Sequence, residues 1–159
     1  MSSDQTKPKI LFVLPGLEAG GAERVLITLM NALAPDSYNK SIAVVDSPGP
    51  LKSLISPGTP FFDLKASNVP FALPALYKIW RKEQPEIVIS TMAHMNFGVL
   101  LLRCFFPKTK IIVREAIVPS YFFEKFKPFG ALLKLAYRIF YKQADMILSP
   151  SKAVLNELQ

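Results

Sequence analysis

Short runs of β-branched and large apolar residues recur along this chain with helical patterns between them, and no other feature restricts the fold as much. The clearest runs are Lys9 to Leu14, Ser41 to Val45, Glu86 to Thr91, Lys110 to Arg114 and Asp145 to Ser149, with a weaker one at Phe61 to Leu64. Their near-continuous Ile, Val, Leu and Phe content suits strands covered on both sides, as in a parallel sheet built from βα units. The expectation is an α/β domain: an open parallel sheet of 5-6 strands with helices on both faces.

The intervening segments carry the helices. Ala22, Val25, Leu26, Leu29, Met30 and Leu33 share one face of a first helix that Pro35 stops. A second runs from about Ala72 to Gln84, with Leu73, Leu76, Tyr77 and Trp80 inward and Lys78, Arg81 and Lys82 outward. A third covers Asn96 to Phe106, a fourth Phe129 to Lys142, and a last one starts at Ser149-Pro150-Ser151. Between Pro48 and Pro60 the turn residues leave room only for a short helix at Leu51 to Ile55.

Composition narrows the function. A length of 159 residues, 50% apolar, supports one domain with its own core. One Cys and one His form neither a disulfide framework nor a closed zinc site, and a reducing, cytoplasmic compartment is expected. The polar start and the short apolar run after it do not read as a signal peptide. Arg103 interrupts the longest apolar stretch, which is far short of the roughly 20 residues needed to span a bilayer. The net charge of +7 resides in residues 101 to 142, where nine Lys or Arg face two acids. Anionic partners should meet this segment. From Tyr121 to Tyr141 it is also aromatic, and Lys134, Arg138 and Lys142 form a basic stripe, a pattern suited to an anionic membrane surface through 120-142 or to an ordinary packed helix. No nucleic-acid motif is present, so nucleic acid is not an expected partner.

Three places carry candidate chemistry. Gly16, Gly20 and Gly21 lie in the turn from the first strand to the first helix, where backbone N–H groups and the helix dipole favour a phosphate. Their spacing matches neither G-x-G-x-x-G nor a P-loop, and a merely tight turn is the plain alternative. His94 follows the carboxyl end of the fourth strand, the edge at which open α/β sheets gather ligands; it serves either a ligand or the local structure. Arg114-Glu115 closes the fifth strand at the same edge, as a phosphate-binding guanidinium and an acid that orients or deprotonates a hydroxyl, or as an internal ion pair or a solvated loop.

Four motifs in order then carry a family resemblance. Lys9 to Leu14 with Gly20-Gly21-Ala22-Glu23-Arg24, the segment Ser90 to Asn96, the pair Arg114-Glu115, and Ala144-Asp145-Met146-Ile147-Leu148-Ser149-Pro150-Ser151 resemble the N-terminal domain of a family 4 glycosyltransferase of the GT-B type. The resemblance spans nearly the whole chain and implies a Rossmann-like half of a two-domain enzyme, here as residues 1-159. Such an enzyme moves a sugar from a nucleotide-diphosphate donor to a saccharide or lipid-linked acceptor, with retention and without an essential metal or cofactor. It implies a further C-terminal donor-binding domain, so that this part alone would not transfer sugar; the basic, aromatic segment then fits an acceptor held at the inner face of the membrane, with the protein peripheral there. By position, Gly20 and Gly21 would hold the donor diphosphate, His94 and Glu115 would be catalytic, and Arg114 and Asn96 would meet the acceptor. A sugar-nucleotide epimerase and a non-catalytic glycan or lipid-headgroup binding module are the competing readings.

Overall fold

The computed structural model describes residues 7–115 and 130–150. Its strands are β1 (Lys9–Gly16), β2 (Asn39–Asp46), β3 (Phe61–Asp63), β4 (Ile87–Thr91), β5 (Lys110–Arg114) and β6 (Met146–Leu148). Its α-helices are α1 (Gly21–Ala32), α2 (Val69–Glu83), α3 (Ala93–Leu102) and α4 (Gly130–Phe140). The last helix expected from the sequence, beginning at Ser149-Pro150-Ser151, falls largely outside the described residues, as does Val118 to Pro128.

The strands form one parallel sheet in the order β3-β2-β1-β4-β5-β6. This is the Rossmann-like order, and it reverses between β1 and β4. Alternation along β1 divides its side chains between two cores. Leu11 and Val13 join Val88, Ile111, Val113 and the helices α2 and α3. Ile10, Phe12 and Leu14 join Ile42, Val44 and the inner side of α1. Both faces of the sheet are therefore covered, as its apolar strands require.

Local chemistry explains the helix bounds. Asn68 caps α2, its Oδ1 accepting from Phe71 N at 3.4 Å, so α2 starts at Val69, ahead of the expected Ala72. The α1 stripe is rotated from the expected one: Glu23, Leu26, Ile27 and Met30 are buried, while Val25 is 47% exposed. Helix α3 is buried nearly all round, and at Gly98 an added Cβ would stand 2.8 Å from Val69 Cγ1, so glycine permits the close approach of α2. Behind β1 and β2 the two loops interlock: Leu17 O accepts from Leu51 N at 3.1 Å. Gly49, at φ +142, leaves no room for a Cβ, which would stand 2.1 Å from Leu17 O.

Asp145 joins the last two strands. It pairs with Arg103, and its Oδ2 accepts from Ile111 N at 2.8 Å. The Arg103 hydrogen bond holds the Asp145 carboxyl below its ordinary range; burial opposes it, and the Ile111 amide adds to it. A depressed folded-state value stabilises the fold above the unfolded value near pH 4, and that contribution disappears as the pH falls through the folded value. The urea midpoint of the wild type should therefore drop more steeply below about pH 4 than that of Asp145→Asn. Parallel acid profiles for the two proteins would contradict this.

Candidate functional site

The glycine turn ends at α1, whose N-cap is Gly20 with no side-chain cap. The first bond of the helix runs from Arg24 N to Gly20 O at 3.2 Å. The N–H groups of Gly21, Ala22 and Glu23 thus stand at the open, positive end of the helix. Gly21 has clear space around it, with nothing within 4 Å of an added Cβ. Gly20 does not: the Glu23 carboxylate folds back over it, so that an added Cβ would stand 2.1 Å from Glu23 Oε2.

Facing this turn across the strand-order reversal is the end of β4. Met92 links β4 to α3 at φ 71, ψ 134, a strained backbone for a residue with a side chain. Such a conformation costs on the order of 1–3 kcal/mol and is concentrated at functional sites. It turns the chain abruptly into α3 and leaves His94 in the first turn of that helix, accessible to solvent. Partial desolvation lowers the imidazole pKa below its ordinary value, and the Glu23 carboxylate opposes that shift. The ring is therefore neutral at pH 7, able to donate from one nitrogen and accept at the other.

The end of β5 is organised differently. Arg114 Nη1 donates to Thr91 Oγ1 at 3.3 Å, which ties the guanidinium to the end of β4. Glu115 is 1% exposed and takes a short hydrogen bond from Tyr141 Oη. Asn96 is buried behind it: Oδ1 accepts from Ser90 Oγ at 2.7 Å, while Nδ2 donates to Arg114 O at 3.0 Å and to Tyr141 Oη at 3.1 Å. Burial, and then the charge of Glu115, push both Tyr137 and Tyr141 well above the ordinary phenol range, so both remain protonated. Direct contact of an acceptor with Glu115 or Asn96 requires this network to open.

The topology thus sets Gly20, Gly21 and His94 at the carboxyl edge of the sheet on either side of the strand-order reversal, with Glu23 near enough for its charge to act on the imidazole, and sets Arg114 at the next strand end. Glu115 and Asn96 lie underneath, as a buried brace between β4, α3, β5 and the turn after α4. Two residues of this arrangement carried no sequence-based role. Glu23 emerges from the rotated α1 stripe, and Tyr141 from the burial of a residue that sequence alone places in a general aromatic run. On α4, Lys134, Leu135, Arg138 and Ile139 are exposed, as is Lys142 in the turn that follows. The remainder of the expected membrane segment, residues 120–129, lies outside the described residues. No helix among the described residues is long and apolar enough to cross a membrane, and no cluster of His, Cys, Asp or Glu among them could hold a metal.

A depression of about 600 Å³ lies at the opposite edge of the sheet, against the amino ends of the strands. Its lysines are engaged with helix ends: Lys9 Nζ donates to Glu83 O at 3.2 Å and Lys40 Nζ to Leu33 O at 2.6 Å. They satisfy carbonyls that end α2 and α1.

Comparison with known proteins agrees with this architecture. The family described as Glycosyltransferase Family 4 matches residues 19–159. No curated protein sequence matches the chain. Among solved structures, the UDP-GlcNAc 2-epimerase of Methanocaldococcus jannaschii superposes with a TM-score of 0.65 at 14% identity, over 94% of this chain and 41% of that one. The UDP-GlcNAc 2-epimerase of Neisseria meningitidis bound to UDP-GlcNAc gives 0.63 at 14% identity, over 94% and 42%. The chain spans about two-fifths of the length of these structures. At such identities the likeness is one of fold.

Two measurements follow from the geometry. Tyr141→Phe removes the hydroxyl that donates to Glu115 and accepts from Asn96, and should cost about 1.5–3 kcal/mol in urea unfolding; a loss below about 0.5 kcal/mol would contradict the brace. His94 should titrate by NMR with a midpoint below its ordinary value of 6.5, and Glu23→Gln should lower it further by removing the opposing charge. An unchanged midpoint in that variant would separate Glu23 from the imidazole.

Proposed function

This chain belongs to glycosyltransferase family 4, and on that premise we propose that it forms the acceptor-side half of a retaining glycosyltransferase. The reaction moves a sugar from a nucleotide-diphosphate donor to a saccharide or lipid-linked acceptor, in cell-surface glycan synthesis. The observation that carries this reading is the meeting of the α1 N-terminus and His94 at the strand-order reversal between β1 and β4.

On this reading the N–H groups beginning at Gly21 receive the donor diphosphate, and negative charge that develops on it in the transition state meets the positive end of α1. Neutral His94 donates to the donor sugar or the leaving phosphate. Arg114, held by Thr91, lines the acceptor side, and Glu115 shapes that wall from behind through its bond with Tyr141. Retention places the incoming hydroxyl and the leaving phosphate on one face of the sugar, so the acceptor approaches from the side of His94 and Arg114. A second domain completes the donor site. No metal or cofactor has a part in this scheme.

The acceptor class follows from the exposed face of α4. Leu135 and Ile139 offer apolar surface between Lys134, Arg138 and Lys142, a combination that suits an anionic bilayer and an acceptor anchored in it. An epimerase is the second reading, favoured by the two structural neighbours above, and it would use the same crevice without an acceptor.

The test is nucleoside-diphosphate release by the full-length protein. Release that depends on an added saccharide or lipid-linked acceptor, and falls at least about 100-fold in His94→Ala, supports transfer. Interconversion of a nucleotide sugar with no acceptor supports the epimerase instead, and the absence of both reactions supports a binding module. Flotation with anionic liposomes should succeed at low salt and fail when Lys134, Arg138 and Lys142 are all changed to Glu.

A further inference from the structure

Glu23 is an anomaly in the crevice. Its residue is 8% exposed and among the described residues its carboxylate meets no hydrogen-bond donor, but its oxygens are not fully buried and open towards solvent, whereas the buried polar atoms of Asn96 have their partners within the chain. An acid that only complemented the dipole of α1 would do so equally well from the exposed side of the first turn, without the cost of desolvation. Instead the α1 stripe is rotated to bring Glu23 inward in line with Leu26, Ile27 and Met30, and its carboxylate lies on Gly20, towards His94.

A lone carboxylate beside a helix end suited to phosphate selects its partner by charge. A second phosphate is repelled, and a neutral hydroxyl donor is accepted. A sugar joined to a phosphate held at α1 brings such hydroxyls to within a few ångströms of that phosphate. We propose that Glu23 is a sugar-binding residue: its carboxylate accepts a hydroxyl of the donor hexose and discriminates among hexoses by the placement of that hydroxyl. The inference rests on the reading of the crevice as a nucleotide-sugar site and adds the group that chooses the sugar. A hexose without a hydroxyl at that place would leave the carboxylate without this partner and so bind less tightly.

The experiment is calorimetric binding to the full-length protein of UDP and GDP, each alone and as UDP-GlcNAc, UDP-glucose, UDP-galactose and GDP-mannose. In the wild type one sugar ester should bind more tightly than its parent nucleotide. In Glu23→Gln the parent nucleotide should bind as well or better, because a negative charge near the diphosphate is gone, while the advantage of the sugar ester shrinks about tenfold. Glu23→Asp keeps the charge and draws the carboxylate back by one methylene; it should also lose the sugar advantage, with no gain for the parent nucleotide. Wild-type binding of a sugar ester with an unchanged advantage in both variants overturns the role of Glu23 alone. A wild type that binds none of these compounds overturns the nucleotide-sugar reading and this role with it.

Discussion

The reversal of strand order between β1 and β4 is the constraint on which the rest of the site depends. From β1 the chain crosses over one face towards β2, and the chain entering α3 from β4 covers the other. The two helices leave neighbouring strand ends in opposite directions, so their first turns frame a crevice that no other pair of adjacent strands provides. Gly21 and His94 are 73 residues apart in sequence and come to the same edge for that reason alone. Burial of the sheet on both faces fixes this order, since each strand places alternate side chains in two separate cores and a register slip would exchange them.

The crevice is supported by costly local arrangements. Met92 holds a strained backbone at the start of α3, Gly49 admits the carbonyl of Leu17, and the Ser90, Asn96, Tyr141 and Glu115 network occupies the interior just below the strand ends. Buried polar groups of this kind give rigidity only when each has its partner. Here the Tyr141 bond reaches from the turn after α4 to the end of β5, so the position of the basic helix and that of the β5 end are mechanically linked.

Much of the fold was legible because it is written in apolar periodicity. All six strands and four of the helices follow runs that are either continuous or spaced by three and four residues, and the prolines and glycines mark most of their ends. The departures have local causes. Asn68 caps α2 one turn ahead of the first clear apolar position, and the α1 stripe is shifted because Ile27 enters the core while Val25 does not. The glycine turn and His94 could be placed at the crevice because strand ends are readable. The burial of Asn96 and Glu115 could not, since it depends on Tyr141, 26 residues beyond Glu115 in sequence. Glu23 was hidden for a related reason: a Glu in a first helical turn usually serves the dipole, and only the rotation of α1 turns it inward.

The two edges of the sheet offer a direct contrast. The carboxyl edge has open helix N–H groups, His94 and Arg114; the amino edge has a depression whose lysines already bind helix carbonyls. The central claim is that the carboxyl edge receives the phosphate end of a nucleotide sugar. Hydrogen exchange of the full-length protein with and without UDP-GlcNAc tests it. The account predicts slowed exchange in peptides covering residues 16–24 and 91–96, with residues 31–41 and 56–60 unchanged. Protection of the second pair of segments, with none in the first, would contradict it.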